Sequence, residues 1–329
     1  MMRSTLLTVE VCCLLAMLLA VAVTADGQER PKDFPNRPIT IQVGSVAGGS
    51  NDIGVRIVAD SLKKIVGQPV LVENKAGAGG QVMLTDFKNN AKPDGYTLAV
   101  FVSPGYVTIP LDPARKAAFS MSDFQWVANH VDDPGAVLVR AESPFKTLEE
   151  MFEAAKARPG QLSITTTGIG SDDHLAVLDL QRKTGHRFNI VHFSQGTAEA
   201  LKAVLGGHAD VDCDNVGGFL PTVRSGQARI LAVMADKRFP DLPDVPTFRE
   251  RGIDLISSSA RGFIAPKGTP PDIVRYLEQA LRKAMDDPDH VRRMKDVGLS
   301  VKFMGSEEIT GFIGREEARA KSLIDLYRK

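Results

Sequence analysis

The sequence predicts two α/β lobes, each a doubly wound sheet flanked by helices, with two crossovers of the chain between them. Three observations carry this. Strand-like and helix-like segments alternate along the chain. Glycine-rich turns separate many strands from the helices that follow them. Two long amphipathic segments near the C-terminus follow a single strand and so must cover a sheet built earlier.

Pro38 to Val43 alternates as a strand, a glycine-rich turn follows, and Ile53, Ile57, Val58, Leu62 and Ile65 repeat at helical spacing as far as Gly67. Gln68 to Glu73 reads as a second strand and Gly80 to Ala91 as a helix. Tyr96 to Val102 is an apolar strand of the kind buried on both faces of a parallel sheet. The second lobe starts with a strand near Ala136 to Val139 and a helix from Thr147 to Arg158, opened by the capping box Thr147/Glu150 and stopped at Pro159-Gly160. Strands at Leu162 to Thr167, Phe188 to Phe193, near Val211 and at Ile230 to Met234 follow, with helices to Thr184 and from Gln195 to Leu205. After a proline-rich loop, the strand Gly262 to Ala265 leads to a helix with Thr269 as N-cap and Pro270 at its first position. A last helix runs from Ser306 to Leu326. The division expected is 1–25 as a leader, 26–132 with 256–329 as the first lobe, and 133–255 as the second.

The leader rests on Arg3, an unbroken apolar run from Val11 to Val23, and small residues up to Ala25. The run falls well short of the roughly 20 residues that span a bilayer, so export with cleavage after Ala25 is expected. Cys12 and Cys13 would leave with it, and Cys213 then has no partner for an internal disulfide. Lys+Arg and Asp+Glu number 40 each, and no basic run exceeds a pair, which argues against a nucleic-acid partner. The histidines form neither an H-E-x-x-H motif nor a Cys/His cluster, and there is no G-x-S-x-G elbow. No metal, cofactor or catalytic residue is therefore expected, and the residues give catalysis little support.

The candidate site lies in loops at strand ends. Ala47-Gly48-Gly49-Ser50-Asn51-Asp52 can bring backbone N–H groups and a helix's positive end against an anion, or be a tight turn capped by Ser50 or Asn51. Gly168-Ile169-Gly170-Ser171 with Asp172 and His174 repeats the device, Ser171 serving as cap and His174 as a packed or capping residue. Asp172 and Asp173 suit the helix dipole, and either one facing a cleft would favour an amino group over an anion. Ser103-Pro104, Gln195-Gly196-Thr197 and Asp214-Asn215 also end strands, and Cys213 reads as a small core residue.

Taken together, the chain resembles the solute-binding proteins of tripartite tricarboxylate transporters, the Bug-type family, from about Phe34 to Lys329. The residues that carry the resemblance are Pro35-Asn36-Arg37-Pro38-Ile39, Ala47-Gly48-Gly49 with Asp52, Gly67-Gln68-Pro69-Val70, Gly77-Ala78-Gly79-Gly80 and Pro93-Asp94-Gly95-Tyr96-Thr97-Leu98. Further along stand Gly168-Ile169-Gly170-Ser171 with His174, Leu242-Pro243-Asp244-Val245-Pro246-Thr247, and Ala265-Pro266 with Gly268-Thr269-Pro270. The resemblance implies a type II periplasmic binding protein, a monomer in the periplasm, that closes on a small carboxylate and delivers it to a membrane permease. The ligand would be a mono- or dicarboxylate, an amino acid or an aromatic acid, held by loops and helix N-termini. Ser194-Gln195-Gly196 stands where many members carry Tyr-Lys-Gly, and Asp172-Asp173 adds two acids, both of which weigh against a simple tricarboxylate. The alternatives are the input to a membrane sensor, or an exported hydrolase or isomerase.

Overall fold

The computed structural model describes residues 30–193 and 196–324. The expected leader, Ser194, Gln195 and the expected end of the last helix at Leu326 lie outside them. The described sheets and helices all belong to one compact unit that begins at Pro35.

In the first lobe β1 (Ile39–Val43) pairs in parallel with β2 (Val70–Asn74) and β3 (Thr97–Ser103). α1 (Ser50–Val66) and α2 (Gln81–Asn90) make the crossovers. α1 buries Val55, Ile57, Val58 and Leu62, and it ends where Gly67 turns left-handed at φ 70°, a conformation that costs glycine least. A short α3 (Gly105–Thr108) follows β3.

β4 (Phe124–Arg140) joins the lobes, since it belongs to both sheets. Phe124–Pro134 pairs antiparallel with β9 (Ser258–Pro266), whereas Gly135–Leu138 pairs with β7 (Val211–Asn215) and Ala136–Arg140 with β8 (Ala228–Val233). Parallel β5 (Ser163–Thr166), β6 (Asn189–His192) and β7 complete the second sheet. Helices α4 (Leu148–Ala157), α5 (Asp172–Thr184), α6 (Thr197–Leu205) and α7 (Val216–Arg224) cover it. Along β4 the side chains alternate between two cores: Val137 and Val139 pack with Ile164, Val211 and Cys213, while Ala136 and Leu138 pack with Val216, Phe219 and Val233. Both faces are buried, as a doubly wound sheet requires.

β9 brings the chain back between β3 and β4, and α8 (Pro271–Met285), α9 (Pro288–Asp296), β10 (Val301–Gly305) and α10 (Ser306–Leu323) return to the first lobe. α10 also reaches across. Its Ala320 and Leu323 bury with Leu175 and Leu178 of α5.

Several elements differ from the sequence expectation. β4 is far longer than Ala136 to Val139 because its first half carries Asn129, His130 and Asp133, polar residues that are buried and partnered rather than solvated. Asn129 donates to the carbonyls of Val131 and Lys302, and the rings of His130 and His290 meet at 3.2 Å. β3 lies between a parallel and an antiparallel neighbour, not in an all-parallel sheet, because β9 enters from the other lobe. Thr269 does not cap α8; its hydroxyl donates to the Pro266 carbonyl, and Pro270 is the N-cap. β10, α7 and α9 were not anticipated. Pro221 interrupts the helical pattern of α7, and β10 is a short edge strand without clear alternation.

Candidate functional site

The carboxyl ends of β1, β3, β5 and β7 each lead into a helix, and the turns between them hold most of the predicted site residues. At the first turn, Gly49 is the N-cap of α1 and offers no side chain, so neither Ser50 nor Asn51 caps it. Asp52, one turn in, orders the loop instead. Its carboxylate accepts the Gly48 N–H at 2.8 Å, Arg56 Nε at 2.9 Å and Asn74 Nδ2 at 2.9 Å. Burial pushes the Asp52 carboxyl up, but these hydrogen bonds outweigh it and hold the group below its ordinary value. Ala47 and Gly48 stay exposed.

The turn ahead of α5 uses the same spacing with a different acceptor. Ser171 caps the helix by accepting the His174 N–H at 3.2 Å, and His174 Nδ1 accepts the Gly170 N–H at 3.0 Å. His174 is buried edge-on against His192, and burial lowers it to about 4, so it is a neutral acceptor at pH 7. Asp173 is buried and takes the N–H and hydroxyl of Thr167. Asp172, half-buried, accepts Asn215 Nδ2 at 2.7 Å. Asn215 precedes α7 without capping it, which frees its amide for Asp172 and for the Asp133 carbonyl at 3.1 Å.

The lobes meet among these turns. Thr108 of α3, just past Ser103 and the cis-bonded Pro104, donates to the Gly170 carbonyl at 3.0 Å. Arg261 of β9 reaches Ser50 Oγ at 3.2 Å and lies 3.9 Å from Asp133. At that distance a charge pair in a partly buried setting is worth about 4 kcal/mol before desolvation. Asp133 also accepts the Gly217 N–H at 3.0 Å, where an added Cβ would collide with the Asp133 carboxylate and the Gly298 carbonyl. A polar tract thus runs from Ser50 through Arg261 and Asp133 to Asn215, Asp172 and Asp214.

Acids dominate its far end. Burial raises Asp133 to about 7, partly offset by Arg261, and Asp214 to about 6, partly offset by the Thr197 hydroxyl. Burial and the neighbouring Asp214 raise Asp212 to about 8, and burial likewise raises Asp172 and Asp173.

The structure therefore gathers Ser50, Gly170, Asp172, Thr197, Asp214 and Asn215 near the join of the lobes. Ser103 ends β3 fully buried, with its hydroxyl unpartnered among the described residues. Gly168 and Asn51 lie on the same turns, Gly196 is the N-cap of α6 after β6, and Gln195 falls outside the described residues. Asp133 and Arg261 were missed, although the signal was there: an arginine set against the apolar run Gly262 to Ala265, and an aspartate before Pro134-Gly135. A separate cavity of about 550 Å³, lined by Phe124, Trp126, Val274, Glu307, Ile313 and Glu317, draws on the first lobe alone. Its charged lining residues, Glu307 and Glu317, are acidic and would repel an anion.

Residues 55–327 match the tripartite tricarboxylate transporter family receptor. The chain is 36% identical to the UPF0065 protein in the gbd 5′ region of Cupriavidus necator, covering 91% of this chain and 90% of that one. It is 31% identical to BugT of Bordetella pertussis, covering 92% and 90%. The solved structure of MatC from Rhodopseudomonas palustris, with bound malate, superimposes with TM-score 0.76 at 31% identity over 88% of this chain and 100% of that one. The chain belongs to the tripartite tricarboxylate transporter receptor family, and its fold is the two-domain type II fold of periplasmic binding proteins.

Proposed function

We propose that this protein is exported to the periplasm, captures a small carboxylate between its lobes and delivers it to a membrane permease, without catalysing a reaction. The lobes would divide at 132/133 and 255/256, close to where β4 changes partners and β9 begins. The observation that carries the reading is that the second glycine turn touches the first lobe through the Thr108–Gly170 contact, while the first is linked toward Asn215 and Asp172 by Ser50, Arg261 and Asp133. Each turn leads into a helix start, whose positive end favours a carboxylate. A ligand touching both would favour the closed arrangement by its differential contacts. The relative with bound malate has a ligand of the expected size and chemistry.

A panel of mono- and dicarboxylates, amino acids and aromatic acids tests this by thermal shift, with native mass spectrometry of gently purified protein. At least one acid should bind 1:1, survive unchanged and raise Tm by several degrees. Conversion of a bound acid, or no response to any of them, would contradict it.

A further inference from the structure

Five buried side-chain atoms that lack partners among the described residues lie on the β1–α1 connection, at the start of α1, at the end of β3 and on β7, the elements that form this site. On the first lobe the hydroxyls of Ser45 and Ser103 and the side-chain oxygen of Asn51 have no hydrogen-bond partner among the described residues. On the second the unpartnered atoms are carboxylate oxygens, Oδ2 of Asp212 and Oδ2 of Asp214. Asp214 is only 4% exposed, and its other oxygen already accepts the Asn215 N–H at 2.7 Å. One side offers neutral hydroxyls with the Arg261 guanidinium beside Ser50; the other offers the Asp214 carboxylate oxygen in need of a donor, Asp212 being raised to about 8 and so neutral at pH 7.

We infer that the ligand is a zwitterion, its carboxylate against the first-lobe turn and Arg261, its ammonium group against Asp172 and Asp214. This deepens the carboxylate-capture reading and rests on it. The charge balance supports it. Asp133, Asp172 and Asp214 converge with Arg261 as their close cation, and Arg319 of α10 adds a more distant one. A second carboxylate on the ligand would add to that excess, whereas an ammonium offsets it and gives Asp214 Oδ2 its missing donor. Asp172 is half-buried and so within reach of a ligand, unlike Asp173, whose carboxylate is committed to Thr167.

The opposite arrangement makes an opposite prediction. Were the acids to hold protons and donate them to a second ligand carboxylate, binding would tighten as pH falls. With an ammonium it tightens as pH rises, because the site must give up protons to bind a cation. The groups bearing on this titration are Asp133 on β4, Asp172 and Asp173 on α5, Asp212 and Asp214 on β7, Arg261 on β9, and Glu316 with Arg319 on α10.

Calorimetry on the full protein with matched pairs tests it: L-aspartate with succinate, L-glutamate with glutarate, L-phenylalanine with 3-phenylpropionate. At pH 7.5 one amino acid should bind at least tenfold more tightly than its amine-free partner. Its affinity should weaken several-fold at pH 5, and Asp214→Asn and Asp172→Asn should each narrow the gap. Equal or tighter binding of the amine-free acids, or tightening toward pH 5, overturns the zwitterion while leaving carboxylate capture standing. Failure of every acid in both series overturns the reading beneath it, and the proposal with it. The pH series on the unaltered protein keeps the test decisive if a variant misfolds.

Discussion

Gly48 in the first lobe and Gly170 in the second hold nearly the same backbone angle, φ +82° and +81°, and each donates its N–H to a side chain four residues on. Their surroundings differ. Gly48 is tied to Asp52, an ionised carboxylate bonded to Arg56 and Asn74, in open space; Gly170 is tied to a neutral histidine and pressed against Thr108 of the other lobe. The same geometry is thus set once by an ion pair and once by a buried ring. The two turns should answer differently to charge, pH and volume.

The largest effect should come from Asp52→Asn. It swaps the ionised acceptor of three hydrogen bonds for a neutral amide, at a cost of about 3 kcal/mol, or roughly 6–10 °C in Tm for a chain of this size. Urea denaturation checks it. Because Asp52 is held below its ordinary value, its contribution is present above the unfolded pKa and fades only as pH falls below about 4.

The second turn should loosen earlier. With His174 lowered to about 4, the unfolded chain binds the extra proton first. The stability it confers is complete above about 6.5 and declines as pH falls toward 4, by up to about 3 kcal/mol. Burial also lowers His130 and His290, so global unfolding would mix their contributions in. The local readout is the amide resonance of Gly170 against that of Gly48: the Gly170 signal should move around pH 4, where folded His174 takes up its proton, while Gly48 moves only at lower pH with Asp52.

Volume separates the pair in the same direction. Gly48→Ala should cost about 1 kcal/mol, since the left-handed angle is strained for alanine but nothing lies within 4 Å of the new Cβ. Gly170→Ala meets Thr108 Oγ1 at 2.9 Å as well and should cost about 2–3 kcal/mol. Equal losses would mean that Thr108 does not press on this turn.

The smallest effect has the opposite sign. Asp212→Asn removes a buried carboxyl raised to about 8 by burial and Asp214, and should stabilise the protein by about 1 kcal/mol at pH 7. The gain should shrink toward pH 4, where the folded and unfolded states both hold the proton. An Asp→Asn exchange would then destabilise the first lobe and stabilise the second.

Much of this could be read from residues. Periodicity showed α1, the capping box showed α4, and Gly-Ile-Gly-Ser before a helix showed the second turn with its Ser171 cap. What stayed hidden depends on partners far along the chain. Asn129, His130 and Asp133 look like loop residues until β10, α9 and α7 supply their partners. Arg261 has no local sign of its link to Ser50, 211 residues away. The direction of a side chain is equally silent: Asp172 and Asp173 are adjacent, yet one takes the Asn215 amide across from β7 and the other folds back on Thr167.

Hydrogen exchange at the two turns, with and without an acid that raises Tm, is the most direct test of capture between lobes. The amides of Gly48 to Ser50 and of Gly168 to Ser171 should gain protection together, at one equivalent of ligand. Protection confined to one turn, or appearing instead around Trp126 in the first-lobe cavity, would contradict the account.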